Sequence, residues 1–324
     1  MPDMTLTRPG QTNGDGATDE LFLKQYGGEV MTAFEERNIM KDLHLIKTIT
    51  SGKVKSFPAT WKTSAAYHTP GNRVVGAQTV LRNERLVYID DVLLSDIFVA
   101  ELDELREDYD SRSIYTEQQG SALARAFDQK SMSVAVIAAR TAATVTGAYG
   151  GSIVTAANAL VDEDELIAAW KAAAQALDEK DIPAEDRHGI LRPAQYMLVL
   201  ESDKVVKDQY DVGGSIRNAK WSGLWDIAVH KSNNVPRTDL HATTSASENN
   251  SYYADFSVTV CPIFHKSAIG TLKRMDLTVQ KTSDDGDFAV EYQGVLLVAK
   301  YNMGHGVLRP EAAVEVRTGT PTPN

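Results

Sequence analysis

Several short stretches carry residue types that do chemistry in other settings, and each fails on spacing. Ser51-Gly52-Lys53 has the hydroxyl and lysine of a phosphate-binding loop but lacks its upstream glycine. Gly304-His305-Gly306 could begin a dinucleotide fingerprint, yet Arg309 stands where the third glycine belongs. Gly213-Gly214-Ser215-Ile216-Arg217 lacks the second flanking glycine of a nucleophile elbow. Cys261, followed by Pro262 in an apolar run, suits a packed thiol better than a nucleophile. His305 between two glycines is a weak catalytic candidate beside the plainer reading of a core histidine. The seven histidines are scattered, and neither an H-E-x-x-H nor a paired-cysteine spacing occurs. Asp162-Glu163-Asp164-Glu165 could be taken for a cation site, but it fits a helix start, where the dipole favours acids. Asp284-Asp285-Gly286-Asp287 lacks the downstream bidentate acid of a calcium loop and reads as a hairpin turn. No enzyme, no cofactor and no metal site is expected.

The elements are more telling. Arg112–Arg140 reads as one long helix, with Leu123, Phe127, Lys130, Val134 and Ile137 at steps of three and four. Alanines fill the positions between, Asp110 and Ser111 are cap candidates, and no proline interrupts. Residues 45–92 read as a long two-stranded excursion, LIKTITSGKVKSFPATW out and RLVYIDDVLL back. An isolated ribbon is marginally stable in water. The chain offers it little spare apolar surface, so a neighbouring copy is its natural support, with a folded-back hairpin as the alternative. Ser95–Asp108 is expected to be a short amphipathic helix, Thr144–Ala156 a loop, and Asp162–Lys180 a helix buried along Leu166, Trp170, Ala173 and Leu177. Beyond Arg187 the strand candidates are YMLVLE, LWDIAVH, FSVTVCPIF, MDLTVQ and FAVEYQGVLLVAKY. Phe256, Val258 and Val260 alternate as if one face were buried. Ser232–Ser251 reads as an exposed loop, GHGVLRPEAAVEVR as a turn and a last strand, and residues 1–19 as a flexible arm leading to a short helix after Gly27-Gly28.

The 324 residues carry a net charge of −11, which argues against a direct nucleic-acid reader and is compatible with DNA held nearby without adhesion. A single cysteine excludes an intrachain disulfide, and the N-terminal stretch lacks the apolar core of a signal peptide. No apolar run reaches the length of a membrane span, the best, Val134–Val145, being broken by Arg140.

Segments spread along the chain resemble one family. They are FLKQYGGEVMTAF from Phe22, Thr50–Lys53 with Phe57-Pro58, Ala65-Ala66-Tyr67, Ile89-Asp90, Tyr109–Arg112 with Tyr115-Thr116, Pro183–Arg187, Gly214–Asn218, and AKYNMGHGVLRPEAA from Ala299. Together they are similar to the major capsid protein of short-tailed (podovirus, T-odd-type) double-stranded DNA phages. The resemblance implies an α+β tailed-phage capsid fold of the Hong Kong phage type. It maps 1–48 as N-terminal arm, 49–92 as extended loop, 93–155 as peripheral domain with the spine helix, 156–285 as axial domain, and 286–324 as return strand and tail. It implies self-assembly as hexamers and pentamers into an icosahedral shell around DNA bound without sequence specificity. The implied partners are a scaffolding protein and a portal, and the place is the virion, made in a bacterial host. An encapsulin-like cargo compartment is the nearest alternative, and a soluble α+β enzyme a more distant one. Lys53, Phe57, Tyr67, Asp110, Arg112, Asp186, Arg217, Arg309 and Glu311 are expected to hold interdomain or intersubunit geometry. Some relatives crosslink their shells through Lys–Asn bonds; Lys53, Lys55 and Lys62 lie in the loop, but no acceptor stands out and that chemistry is not carried over.

Overall fold

A computed structural model describes residues 38–63, 65, 67–73, 80–100, 111–202, 223–243, 245, 247–281 and 291–321. Residues 1–37 of the expected N-terminal arm, with its short helix, residues 101–108 of the expected amphipathic helix, and the Asp284–Asp287 turn lie outside them. The alanine-rich stretch folds as one helix, α1, Ser111–Arg140, about 45 Å long at 1.5 Å per residue. In its second half Met132, Val134, Ala135, Val136, Ala138 and Ala139 are all buried. The expected stripe holds in the first half, where Leu123 and Phe127 are buried and Ala122, Arg125 and Gln129 exposed, and the second half, buried nearly all round, is a core helix.

The chain divides into two compact units, Met1–Asn38 with Asp91–Phe127 and Met275–Met303, and Ile39–Asp90 with Asp128–Arg274 and Gly304–Asn324. In the first, β4 (Leu93–Ala100) runs antiparallel to the start of β11 (Gly294–Val307), with Leu93 opposite Tyr301 and Ala100 opposite Gly294. The helix expected from Ser95 is thus a strand as far as Ala100. Ile97, Phe98 and Val99 are β-branched or aromatic and suit a pleated, paired surface better than a short helix. Gln119 on α1 donates to the Ser95 carbonyl at 3.2 Å, and Leu123 and Phe127 are buried.

The second unit is built on a sheet of six strands: β5 (Ser152–Thr155), β6 (Arg187–Leu191), β7 (Gly223–Leu224), β8 (Ile227–Lys231), β9 (Thr259–His265) and β12 (Ala313–Arg317). Their order across the sheet is β5-β12-β9-β6-β8-β7. The expected 144–156 loop therefore contains an edge strand, parallel to β12. β9 begins only at Thr259, so Phe256 and Val258 precede it, and its residues are buried on both faces rather than one. Pro262 is tolerated there since the β6 ladder ends at the Gly189–Ile263 pair, so no bond on that side needs its missing N–H. Helix α2, Glu163–Asp178, packs on β5 and β12. Asp162 caps it, accepting from the N–H groups of Asp164 at 2.9 Å and Glu165 at 3.3 Å. The acid run is thus a helix start, as its position indicates. Trp170 of α2 is buried above Gly189, where any Cβ would collide with its ring. YMLVLE lies not in a strand but in α3, Pro193–Glu201, a short apolar run opened by proline at its first turn.

β1 (Leu45–Thr48) lies parallel on the first residues of β10 (Ile269–Lys281), and β2 (Val54–Thr60) pairs antiparallel with β3 (Arg82–Tyr88) as the expected ribbon.

Candidate functional site

Strand pairing sorts the ribbon's side chains onto two faces. Lys55, Phe57, Ala59, Arg85 and Val87 turn inward, while Val54, Ser56, Pro58, Glu84, Leu86 and Tyr88 stand exposed on the other side. The inner face rests on the same chain. Phe57 and Ile49 pack against buried Val87, Ile89, Leu272 and Leu308, and Lys47 Nζ sits 4.9 Å from the centre of the Phe57 ring. Asn83 Nδ2 donates to the Thr144 carbonyl at 2.6 Å and Arg85 Nε to Thr144 Oγ1 at 3.0 Å. Farther out, Trp61 meets Tyr149 edge-to-face at 5.5 Å between centroids, and Lys62 pairs with Asp181. The folded-back alternative thus holds for the inner face: a small apolar cluster and polar bonds to the 142–149 loop carry it on its own chain. The outer face, with Val54, Leu86 and Tyr88 exposed, has no such cover among the described residues.

The ribbon's return is clasped by a loop expected to be merely exposed. Asn249 Nδ2 donates to the Ile89 carbonyl at 2.7 Å, and Asn250 exchanges hydrogen bonds with the Tyr88 backbone at 3.1 and 2.7 Å. Asp90 accepts from the Asn249 N–H at 2.8 Å, from Asn250 Nδ2 at 3.0 Å and from the Tyr252 hydroxyl. That phenol oxygen in turn accepts the His305 N–H at 2.9 Å. Lys130 of α1 reaches over the Tyr252 ring to Glu248 at 2.9 Å, which explains a lysine in an apolar series.

A chain of hydrogen bonds runs on from there. His44 Nδ1 lies 2.6 Å from the Met40 carbonyl and so carries the proton. Its Nε2 then accepts from the Thr271 hydroxyl at 2.6 Å, which itself accepts from His305 Nδ1 at 2.7 Å. Both imidazoles are neutral in this arrangement and buried. Burial pushes the His44 pKa down to about 4 against a weaker pull from the Met40 carbonyl, and pushes His305 well down, with His44 and Lys130 adding to it. Below about pH 6.5 the unfolded chain takes up protons that the folded one refuses, so stability present at neutral pH is lost as pH falls towards 4. Burial raises the Asp90 carboxyl, which acts in the opposite sense at the acid end of that range. Urea titrations of the unassembled chain at pH 7 and pH 5 should show lower stability at pH 5, and His44→Gln should narrow the difference, the rest coming from His305, His188, His230 and His265, whose pKa values burial also lowers. His305 is therefore a core histidine inside a strand, and the GHGV segment is not a turn. Cys261 is a buried thiol whose pKa burial raises.

Two further knots lie in the same unit. Arg187, buried, donates to the carbonyls of Pro183 (2.8 Å) and Ile182 and to Asp178 Oδ1 at 2.7 Å, bracing the turn in which Asp181 and Asp186 adopt positive φ. Arg140, marked in the sequence only as an interruption, meets fully buried Glu315 through two bonds of 2.7 and 2.6 Å. It also donates to the Asp255 carbonyl and Thr259 Oγ1. Sequence offered no signal for this pair beyond a charge in an apolar run.

The residues singled out from sequence are not gathered at one place. Lys53 is exposed at the ribbon's foot, Phe57 is half-buried in its inner face, and Tyr67 is fully exposed beyond its end. Asp186 is exposed and hands its carbonyl to the Lys266 N–H at 3.0 Å. Arg309 and Glu311 pair with each other at 2.8 Å. Arg112 lies in the first turn of α1, its side chain outside the description, and Asp110 and Arg217 lie outside the described residues. Among the described residues no cluster of three or more His, Cys, Asp or Glu could hold a metal, and no helix is long and apolar enough to cross a membrane.

Comparison with known proteins points one way. A family described as Gp10A-like major capsid protein matches residues 56–317. The major capsid protein of Escherichia phage T7 is 30% identical over 318 residues, covering 90% of each chain. The capsid structure of cyanophage P-SCSP1u superposes with a TM-score of 0.82 at 34% identity, covering 97% of this chain and 98% of that one. The mature capsid of bacteriophage PhiM1, at 17% identity and a TM-score of 0.74 over 96% of both chains, shares the fold.

Proposed function

The chain belongs to the Gp10A-like family of phage major capsid proteins, and from that premise we propose that it assembles as hexamers and pentamers into an icosahedral shell enclosing double-stranded DNA. It is a shell-forming virion protein with the α+β tailed-phage capsid fold. In this reading its role is structural and no reaction is catalysed. The shell assembles on a scaffolding protein and is joined to a portal. The observation that carries the reading is the two-faced ribbon β2–β3. Its inner face is held by its own chain, and its outer face leaves Val54, Leu86 and Tyr88 in solvent. Residues 49–92 act as the extended loop that lays this outer face on a neighbouring copy. Residues 1–48 serve as the arm, 93–155 and 286–324 as the peripheral part, and 156–285 as the axial part. Many such contacts, each modest, hold the shell by multiplicity. The net charge of −11 keeps packaged DNA from adhering to the wall.

Electron microscopy of the expressed chain, alone and with a co-expressed scaffold, tests this: closed particles of uniform diameter are expected. A chain that stays monomeric under both conditions would overturn it. Among the residues proposed to hold intersubunit geometry, Arg309 gives the sharpest check. Its pair with Glu311 is half exposed on the Arg309 side and contributes under about 1 kcal/mol to the fold. Arg309→Ala should leave the melting temperature nearly unchanged and lower particle yield. A normal yield would return Arg309 to an ordinary surface pair.

A further inference from the structure

Among the described residues the order of the six-stranded sheet ends at β5 on one side and at β7 on the other. Large apolar side chains stand exposed at both. At the β7 end the two-residue turn joining β7 to β8 is Trp225-Asp226, with Gly223 opposite Ala228 and Leu224 opposite Ile227. Both turn residues have positive φ, 48° and 59°, where Asn-Gly is the natural choice and other residues are strained. Trp225 is nevertheless 39% exposed, so the fold gains only part of what a tryptophan can bury. At the other end Ile153 of β5 is 41% exposed. Val161, in the connection from β5 to α2, is 75% exposed. It precedes the cap residue Asp162, a position that often packs on the fourth residue of the helix, here the buried Leu166, and it still leaves most of its surface in solvent.

Six strands at about 4.8 Å spacing separate these two edges by about 24 Å, so they cannot meet within one chain. We propose that copies of this chain join head to tail across this sheet, the Trp225 turn of one copy seated on the Ile153–Val161 edge of the next. A contact between two different surfaces of identical subunits repeats around an axis and closes into a ring when the rotation allows. The inference rests on the shell-forming reading, which supplies the occupant: a second copy. Tryptophan is among the residue types enriched at the centre of such contacts, which explains a bulky side chain where the backbone favours asparagine or glycine.

Trp225→Asn separates the two roles. The unassembled chain should melt at the same or a higher temperature, because the turn is relaxed, while particle yield falls by about tenfold or more. Unchanged yield, or a parallel fall in melting temperature and yield, overturns the proposal. A second measurement keeps both side chains in place. In particles of Thr155→Cys/Asp226→Cys, a short bis-maleimide should give a ladder running past dimers on denaturing gels. The native Cys261 is buried and silent. Intact particles with no ladder above the two single-cysteine controls overturn the edge contact and leave the shell reading standing. No particles from the unmodified chain would remove the shell reading itself.

Discussion

Replacing Arg140 with methionine is expected to lower the stability of the unassembled chain by about 3–5 kcal/mol, because Glu315 would remain buried without its counter-charge. The guanidinium satisfies both carboxylate oxygens, the Asp255 carbonyl and Thr259 Oγ1 at once, so four acceptors lose a donor together. Thr259 also donates to Glu315 Oε1 at 2.7 Å, but a hydroxyl cannot neutralise the charge. Arg140→Met with Glu315→Leu should recover most of the loss, since a well-packed apolar pair replaces a buried ion pair at little cost. Urea titrations of the three proteins decide it. A single variant within about 1 kcal/mol of the parent would mean that water reaches Glu315 and the pair is a surface ornament.

That pair also shows where reading the chain from sequence runs out. α1 and α2 were legible because their information is local: alanine-rich spacing for one, and for the other Asp162 followed by three acids ahead of Leu166 and Trp170. The ribbon was legible because β-branched runs flank a proline- and glycine-bearing tip. Strand β4 reads as a helix from sequence because Leu105 falls three residues after Leu102 and eight after Ile97, while the pairing with β11 that settles the matter lies some 200 residues away in sequence. α3 reads as a strand from sequence because a short apolar run such as Tyr-Met-Leu-Val-Leu has no period long enough to distinguish the two. The buried polar links, Arg140 to Glu315 across 175 residues and Asp90 to Tyr252 across 162, leave no trace in composition. The family resemblance named residues along the whole chain, but it could not say that the ribbon's return would be clasped by Asn249, Asn250 and Tyr252.

Gly304→Ala is the second large effect, and it tests how that return is held. The backbone of β11 passes so close to the ribbon root that a methyl on residue 304 would fall on the Tyr88 carbonyl oxygen and within 3.0 Å of Ile89 Cα. Both obstacles are backbone, which cannot rotate aside. The ribbon root must move, and with it go the Asn250 bonds to Tyr88 and the packing of Val87 and Ile89 on Leu272 and Leu308. A cost of about 3 kcal/mol or more is expected, at the upper end for overpacking. Gly306→Ala is the informative control. Its methyl would meet the Val87 side chain, Cγ2 at 2.7 Å, and a side chain can shift where a carbonyl cannot. Hydrogen exchange of the β3 amides should therefore rise sharply in Gly304→Ala and modestly in Gly306→Ala. Particle yield should fall in the same order, because a displaced root swings the exposed Val54–Leu86–Tyr88 face away from the neighbour it is proposed to meet. Native-like protection of β3 in Gly304→Ala would show that the close approach is relaxed in solution and that the root, not the glycine, sets the ribbon's position.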